Sequence, residues 1–147
     1  MRLRQIDVNA RTTASADAVF QLLADGTTWP NWAPIDSFEL EREGDPPPEG
    51  VGAVRVFKRG RVTGRDEIVE IVPGRRLGYV SISGLAIKDY RANVDVEDDD
   101  TDGATIRWRA SFFPKIPGTG RLLQRGIQRF LQQCADGLAQ KAARQSS

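Results

Sequence analysis

The sequence predicts an α+β fold, a single seven-stranded antiparallel sheet curved around a long C-terminal helix. Three observations predict it. From residue 37 to residue 113 the apolar residues keep to period two, in runs separated by Gly and Pro turns. From Thr119 onward the period changes to helical and holds for roughly six turns. Before the strands lie one further strand and two short helices, with no internal repeat or second domain, so residues 1–147 read as one domain.

Taken in order, "RLRQIDVNA" (2–10) alternates Ile6, Val8 and Ala10 and reads as the first strand. "SADAVFQLLAD" (15–25) follows as a helix, with Ser15 at its N-cap, Val19, Leu22 and Leu23 on one face, and Gly26 ending it. "TTWPNWAPIDSF" (27–38) then places two of the three tryptophans around a proline, in a short helix broken at Pro30 and Pro34. Trp32 is expected to plug the base of the core, while Trp29 either does the same or faces a ligand.

Strands follow at 37–43, 51–59, 62–72 and 76–84, with the stiff turn "GDPPPEG" (44–50) between the first two. "KDYRANVDVE" puts Tyr90, Ala92, Val94 and Val96 on one face, and "TIRWRASFF" does the same with Ile106, Trp108, Ala110 and Phe112. Such alternation belongs to an antiparallel sheet with one wet face. In the last helix Leu123, Ile127, Phe130, Leu131, Cys134 and Leu138 form the apolar stripe, and Arg121, Arg125 and Arg129 line a wet face continued by glutamines. A strongly curved sheet leaves space beneath a straight helix, and such concave apolar spaces take small molecules.

Composition narrows the chemistry. Net charge is +1, which gives no global field toward nucleic acid or an acidic membrane. The start lacks the apolar run of a signal peptide, no stretch is long enough to span a bilayer, and one cysteine forms no internal disulfide. A cytoplasmic location without integral membrane association is the expectation. The chain has no histidine, so Ser-His-Asp and Cys-His catalysis and the usual zinc and non-haem iron sites are excluded. No metal or other cofactor enters this reading.

The order of elements resembles the helix-grip fold of the START, plant-allergen and polyketide-cyclase superfamily (SRPBCC). The residues carrying the resemblance are "DGTTWPNWAP", "EIVEIVPGRRLGYV" and, most specifically, "DYRANVDVEDDDTDGATIRWRASFFPKIPGTG", so that it spans nearly the whole chain. It implies an internal cavity for a hydrophobic ligand. Carriers, cyclases and co-chaperone domains share the superfamily, and it has no universal catalytic motif, so function has to be argued from the site.

Other motifs have plainer readings. "DDDTDG" (98–103) begins like a calcium loop, but Arg109 stands where a bidentate Glu is needed, so an acidic hairpin turn is expected. "PGTGRLLQRG" (117–126) lacks the Lys-Ser/Thr of a phosphate loop and the third glycine of a dinucleotide loop, and reads as a helix start. "KRGRVTGR" (58–65) reads as a solvated hairpin tip rather than a nucleic-acid contact.

Strand "VTGRDEIVEIV" has no clean register, since either face brings a carboxylate inward. The Val69/Ile71 register is preferred, which turns Glu67 inward as a rim salt bridge or as a polar ligand anchor. Tyr79, Ser81 and Tyr90 are the other polar groups expected on the inner wall, as ligand contacts or as structural residues. Trp29, Trp108, Phe112, Ile127, Phe130 and Cys134 complete the expected wall, Cys134 as an inert interior thiol. The loop "SGLAIK" (83–88) is expected to act as a lid, with Gly126 allowing the facing helix to approach it.

The function expected is binding or transport of a small hydrophobic ligand, lipid-, isoprenoid- or polyketide-like, in preference to catalysis, which stays open. A polyketide cyclase or dehydratase is the alternative. A protein-interaction module comes third, and an interior filled by the protein's own side chains would favour it.

Overall fold

The computed structural model describes residues 2–146. Its strands are β1 (Arg4–Thr12), β2 (Ser37–Arg42), β3 (Val54–Arg59), β4 (Val62–Val72), β5 (Arg76–Ser83), β6 (Ile87–Asp98) and β7 (Ala104–Pro114). Helix α1 (Ala16–Ala24) and a 3-10 turn (Gly26–Asn31) follow β1, and helix α2 (Gly120–Ser146) closes the chain. The sheet order is β1-β7-β6-β5-β4-β3-β2, antiparallel throughout. After β1 the chain crosses to the far edge and meanders back until β7 pairs with β1. This is the expected helix-grip arrangement. No helix among the described residues is long and apolar enough to cross a membrane.

The alternation of β6 and β7 sorts their residues as expected. Ala92, Val94, Val96, Ile106, Trp108 and Phe112 are buried on the inner face. The outer face is a lattice of opposite charges: Arg107 on Asp7 at 2.6 Å, Arg109 and Arg76 on Asp95 at 2.9 and 2.6 Å, and Arg91 on Glu70 at 3.2 Å. Cross-strand pairs of this kind suit a solvated face, each adding only a fraction of a kcal/mol, of order 0.2–1.

Curvature comes from irregularities in the pairing. Extra residues shift the register in β2 between Leu40 and Arg42, in β4 between Ile68 and Glu70, in β5 between Ser81 and Ser83, and in β6 between Lys88 and Arg91. Each extra residue bends the strand and increases its twist. The shift at Ile68/Glu70 also explains why the sequence of β4 shows no clean alternation. Asp66 and Ile68 face inward before it, Val69 is the unpaired extra residue, and Ile71 faces inward after it. The expected single register through Glu67, Val69 and Ile71 is therefore corrected. Glu67 lies on the outer face, 3.4 Å from Arg42.

Helix α2 rests on β1, β7 and α1. Its C-terminal half presents Leu131, Cys134, Ala135, Leu138, Ala139 and Ala142, all buried, and the small side chains let it lie close. A Cβ on Gly137 would stand 1.9 Å from the Trp32 carbonyl oxygen, so only glycine allows that contact. Two glutamines expected on a wet face turn instead to the neighbouring strand. Gln124 Nε2 donates to Gln5 O at 2.8 Å and Gln132 Nε2 to Asn9 O at 3.0 Å.

The acidic turn after β6 has structural partners. Asp98 accepts from the Ala16 N–H at 2.8 Å, and Ser15 accepts from Ala18 N, so both serve the start of α1. Asp99 accepts from the Thr101 hydroxyl at 2.7 Å and from Thr101 N and Gly103 N, and it pairs with Arg11 at 2.6 Å. These contacts hold its carboxyl down at about 2.

Candidate ligand cavity

Because α2 covers β1 and β7, a space is left between its N-terminal half and the inner faces of β3 to β6. This cavity measures about 600 Å³ and is open on one side. Its wall is largely apolar: Ile35, Phe57, Leu123, Ile127 and Phe130 among others. Exposed Val62, Leu85 and Leu122 stand at its mouth, where Leu122 is 79% exposed.

Of the residues expected in the wall, Trp29, Tyr79, Ser81, Tyr90, Ile127 and Phe130 line the cavity. Trp108, Phe112 and Cys134 are fully buried behind the lining. Burial pushes the Cys134 thiol far up, as an interior thiol should behave. Glu67 and Val69 are absent from the wall, for the reason given by the β4 bulge.

The tryptophan pair divides its work. Trp29 stacks on Phe57 at 4.6 Å, meets Trp108 edge-on at 5.8 Å, and donates its indole N–H to Leu23 O at 3.0 Å. It is thus a fixed aromatic surface rather than a mobile one. Trp32 packs against Trp29 at 4.7 Å and donates to Thr28 Oγ1 at 3.1 Å, closing the base where α2 passes.

Asp66 is the carboxylate that β4 turns into the cavity. Burial raises its pKa to about 7, against the opposing pull of the Arg55 charge. Arg55 is paired with it across β3 and β4 and is itself 2% exposed. The guanidinium is occupied elsewhere: Nε meets Glu49 at 2.9 Å, and Nη2 donates to Leu23 O and Ala24 O at the end of α1. Arg55 therefore lowers the cost of a charge at Asp66 without neutralising it.

Two phenols complete the polar wall. Tyr79 Oη accepts from Trp108 Nε1 at 3.2 Å and is also hydrogen-bonded to the Tyr90 hydroxyl. The Tyr79 and Tyr90 rings lie 6.1 Å apart. Burial pushes both phenols up, and the Asp66 charge adds to the rise in each, so both are proton donors at any ordinary pH. At the mouth the Arg59 guanidinium lies over the Phe130 ring at 5.3 Å.

Sequence reasoning missed Asp66, Arg55 and Arg59. The signal for Asp66 was its alternation with Ile68, outvoted by Ile71 three residues on. For Arg55 it was a lone arginine between Val54 and Val56, inside a run that is buried on both faces. The two candidate loops also separate. "GDPPPEG" is tied down by Glu49, which accepts from Gly26 N at 2.8 Å and meets Arg55. Leu85 of the 83–88 loop lines the cavity while Ile87 is buried. Gly126 does not mediate close approach, because a Cβ there would meet nothing within 4 Å.

A helix-grip fold with an open apolar chamber defines a class of small-molecule-binding domains. Within it, the chain belongs to the polyketide cyclase / dehydrase and lipid transport family, whose profile matches residues 4–143. No curated protein matches the sequence. Among solved structures it is similar to the ZhuI aromatase/cyclase from Streptomyces sp. R1128, at 16% identity and TM-score 0.82, over 99% of this chain and 97% of that one. A START superfamily protein from Mycobacterium smegmatis gives 11% identity and TM-score 0.82, over 97% and 99%. A protein from Thermobifida fusca gives 26% identity and TM-score 0.74, over 92% and 93%.

Proposed function

We propose that this protein binds one small hydrophobic molecule, lipid-, isoprenoid- or polyketide-like, inside the cavity. The observation that carries the reading is a 600 Å³ apolar chamber with a few polar groups gathered on one wall. Apolar burial, at about 25 cal/mol per Å², supplies affinity, while Asp66, Tyr79, Tyr90 and Ser81 orient a carbonyl or hydroxyl. An open chamber speaks against a pure interaction module, which would have filled its interior.

Cyclisation or dehydration of a polyketide-like substrate is the second reading, and Asp66 favours it. A carboxyl that exchanges its proton near pH 7, beside two phenol donors, has the properties of a general base. Asp66 would take a proton from carbon between two carbonyls while a phenol steadies the enolate oxygen. The folded cavity would hold the chain bent for ring closure.

Native mass spectrometry and quenching of Trp29 fluorescence by a fluorescent fatty acid test the first reading. Saturable one-to-one binding is expected for the wild type and loss of it for Gly126→Trp, which fills the chamber from the helix side. Equal binding by both proteins would remove the ligand from the cavity. Asp66→Asn then separates binding from catalysis, because it preserves uptake and abolishes any turnover of a polyketide-like substrate.

A further inference from the structure

Most of the surface arginines in the sheet are matched to acids: Arg11, Arg65, Arg76, Arg91, Arg107 and Arg109 each sit on a carboxylate. Arg2, Arg4 and Arg121 are different. They share a second pocket, of about 380 Å³, at the Pro117-Gly118 turn and the start of α2. Among the described residues, none of the three forms an ion pair.

Arg4 is held firmly there. A Cβ on Gly120 would come within 2.7 Å of its Nε and 2.9 Å of Nη2, so the glycine makes room for the guanidinium against the first helical turn. Gln124 Oε1 accepts from its Nη1 at 3.4 Å. Its Nε is shielded from water and has no hydrogen-bond partner among the described residues.

The helix end adds charge of the same sign. The first turn of α2 contains no acidic residue, and the Thr119 hydroxyl donates to Ile116 O at 2.6 Å instead of accepting from the helix. The N–H groups of Gly120, Arg121 and Leu122 meet no acceptor among the described residues. Helix α1, by contrast, has Ser15 and Asp98 as acceptors and Asp17 in its first turn. Cations at a helix N-terminus are on the unfavourable side of the dipole. Arg2, Arg4 and Arg121 thus line one pocket at such an end, with no carboxylate among its lining residues, an arrangement that suits an anion.

We propose that the Arg2/Arg4/Arg121 pocket at the start of α2 binds a phosphate group. The donors approach from β1, from the chain before it and from the helix, so they suit a tetrahedral anion with oxygens in several directions. A planar carboxylate matches one guanidinium fork. Arg121 lines this pocket while the next two residues, Leu122 and Leu123, line the cavity. A free phosphate and the phosphate head of an amphiphile seated at the cavity mouth therefore offer the same chemistry. The site does not depend on the cavity reading.

The test titrates the full chain with inorganic phosphate at constant ionic strength and follows the amide resonances of Gly120, Arg121 and Leu122. A parallel arm measures sedimentation with phosphatidylcholine vesicles, with and without phosphatidic acid. Saturable shifts are expected, weakened roughly tenfold or more in Arg121→Gln, as for loss of a charge-assisted hydrogen bond. Arg121 is exposed, so the change leaves the fold intact, and Arg125→Gln, outside the pocket, serves as the control with unchanged affinity. Phosphate binding without vesicle preference identifies a soluble phosphate. Binding to phosphatidate vesicles that phosphate competes away identifies a lipid head. The proposal fails if neither probe binds saturably, or if Arg121→Gln responds as the wild type does.

Discussion

Asp66 concentrates what a single residue contributes to this molecule. Its carboxyl keeps its proton up to about pH 7 in the fold, against an ordinary value of 3.8. Between those values the folded chain holds a proton that the unfolded chain has released, so the contribution of Asp66 to stability falls as pH rises through that window. Asp66→Asn removes the penalty. The melting temperature of the variant should equal that of the wild type near pH 4 and exceed it increasingly up to pH 7, then level off. A difference that stays flat from pH 4 to 8 would return Asp66 to the status of a solvated carboxylate. The sequence made one part of this visible, that an inward carboxylate was unavoidable on this strand. It hid which one, because a single extra residue at Val69 inverts the faces and leaves no mark in composition.

At the scale of the element, two of the three glycines of α2 have opposite roles. Gly137 lies where a methyl group would collide with the Trp32 carbonyl, while Gly126 faces open space. Helix propensity favours alanine at both by about 1 kcal/mol. Gly126→Ala should therefore stabilise the protein by roughly 0.5–1 kcal/mol, and Gly137→Ala should destabilise it by about 1–3 kcal/mol through overpacking. Urea denaturation of both variants decides the matter, and two changes of the same sign would contradict the packing described for α2. The helical stripe itself was legible in the sequence, from Leu123 to Leu138. Its division into a half over the cavity and a half sealed on α1 and β1 was not, since Phe130 and Leu131 look alike on a helical wheel. Only the tertiary position of the sheet distinguishes them: Leu131 is 1% exposed and Phe130 lines the chamber.

For the whole molecule, element order and the seven-strand antiparallel sheet followed from periodicity, because a one-sided sheet must alternate to bury one face. The polar details of the chamber resisted the same logic. Arg55 and Glu49 are near in sequence, yet what brings them inward is the end of α1, more than twenty residues earlier. The glutamine contacts of α2 belong to this scale as well. A sheet that does not close leaves two outer strands whose backbone groups are templates for another chain. β2 carries Glu39, Glu41 and Arg42 along its border. β1 is guarded differently, by Gln124 and Gln132 donating to its Gln5 and Asn9 carbonyls. Replacing both glutamines with alanine should uncover that border at little cost to monomer stability. Light scattering and thioflavin fluorescence of the double variant, held at moderate temperature, should then rise with time while the wild type stays clear. Two substitutions at that border would thus turn a self-contained sheet into a nucleus for intermolecular sheet growth.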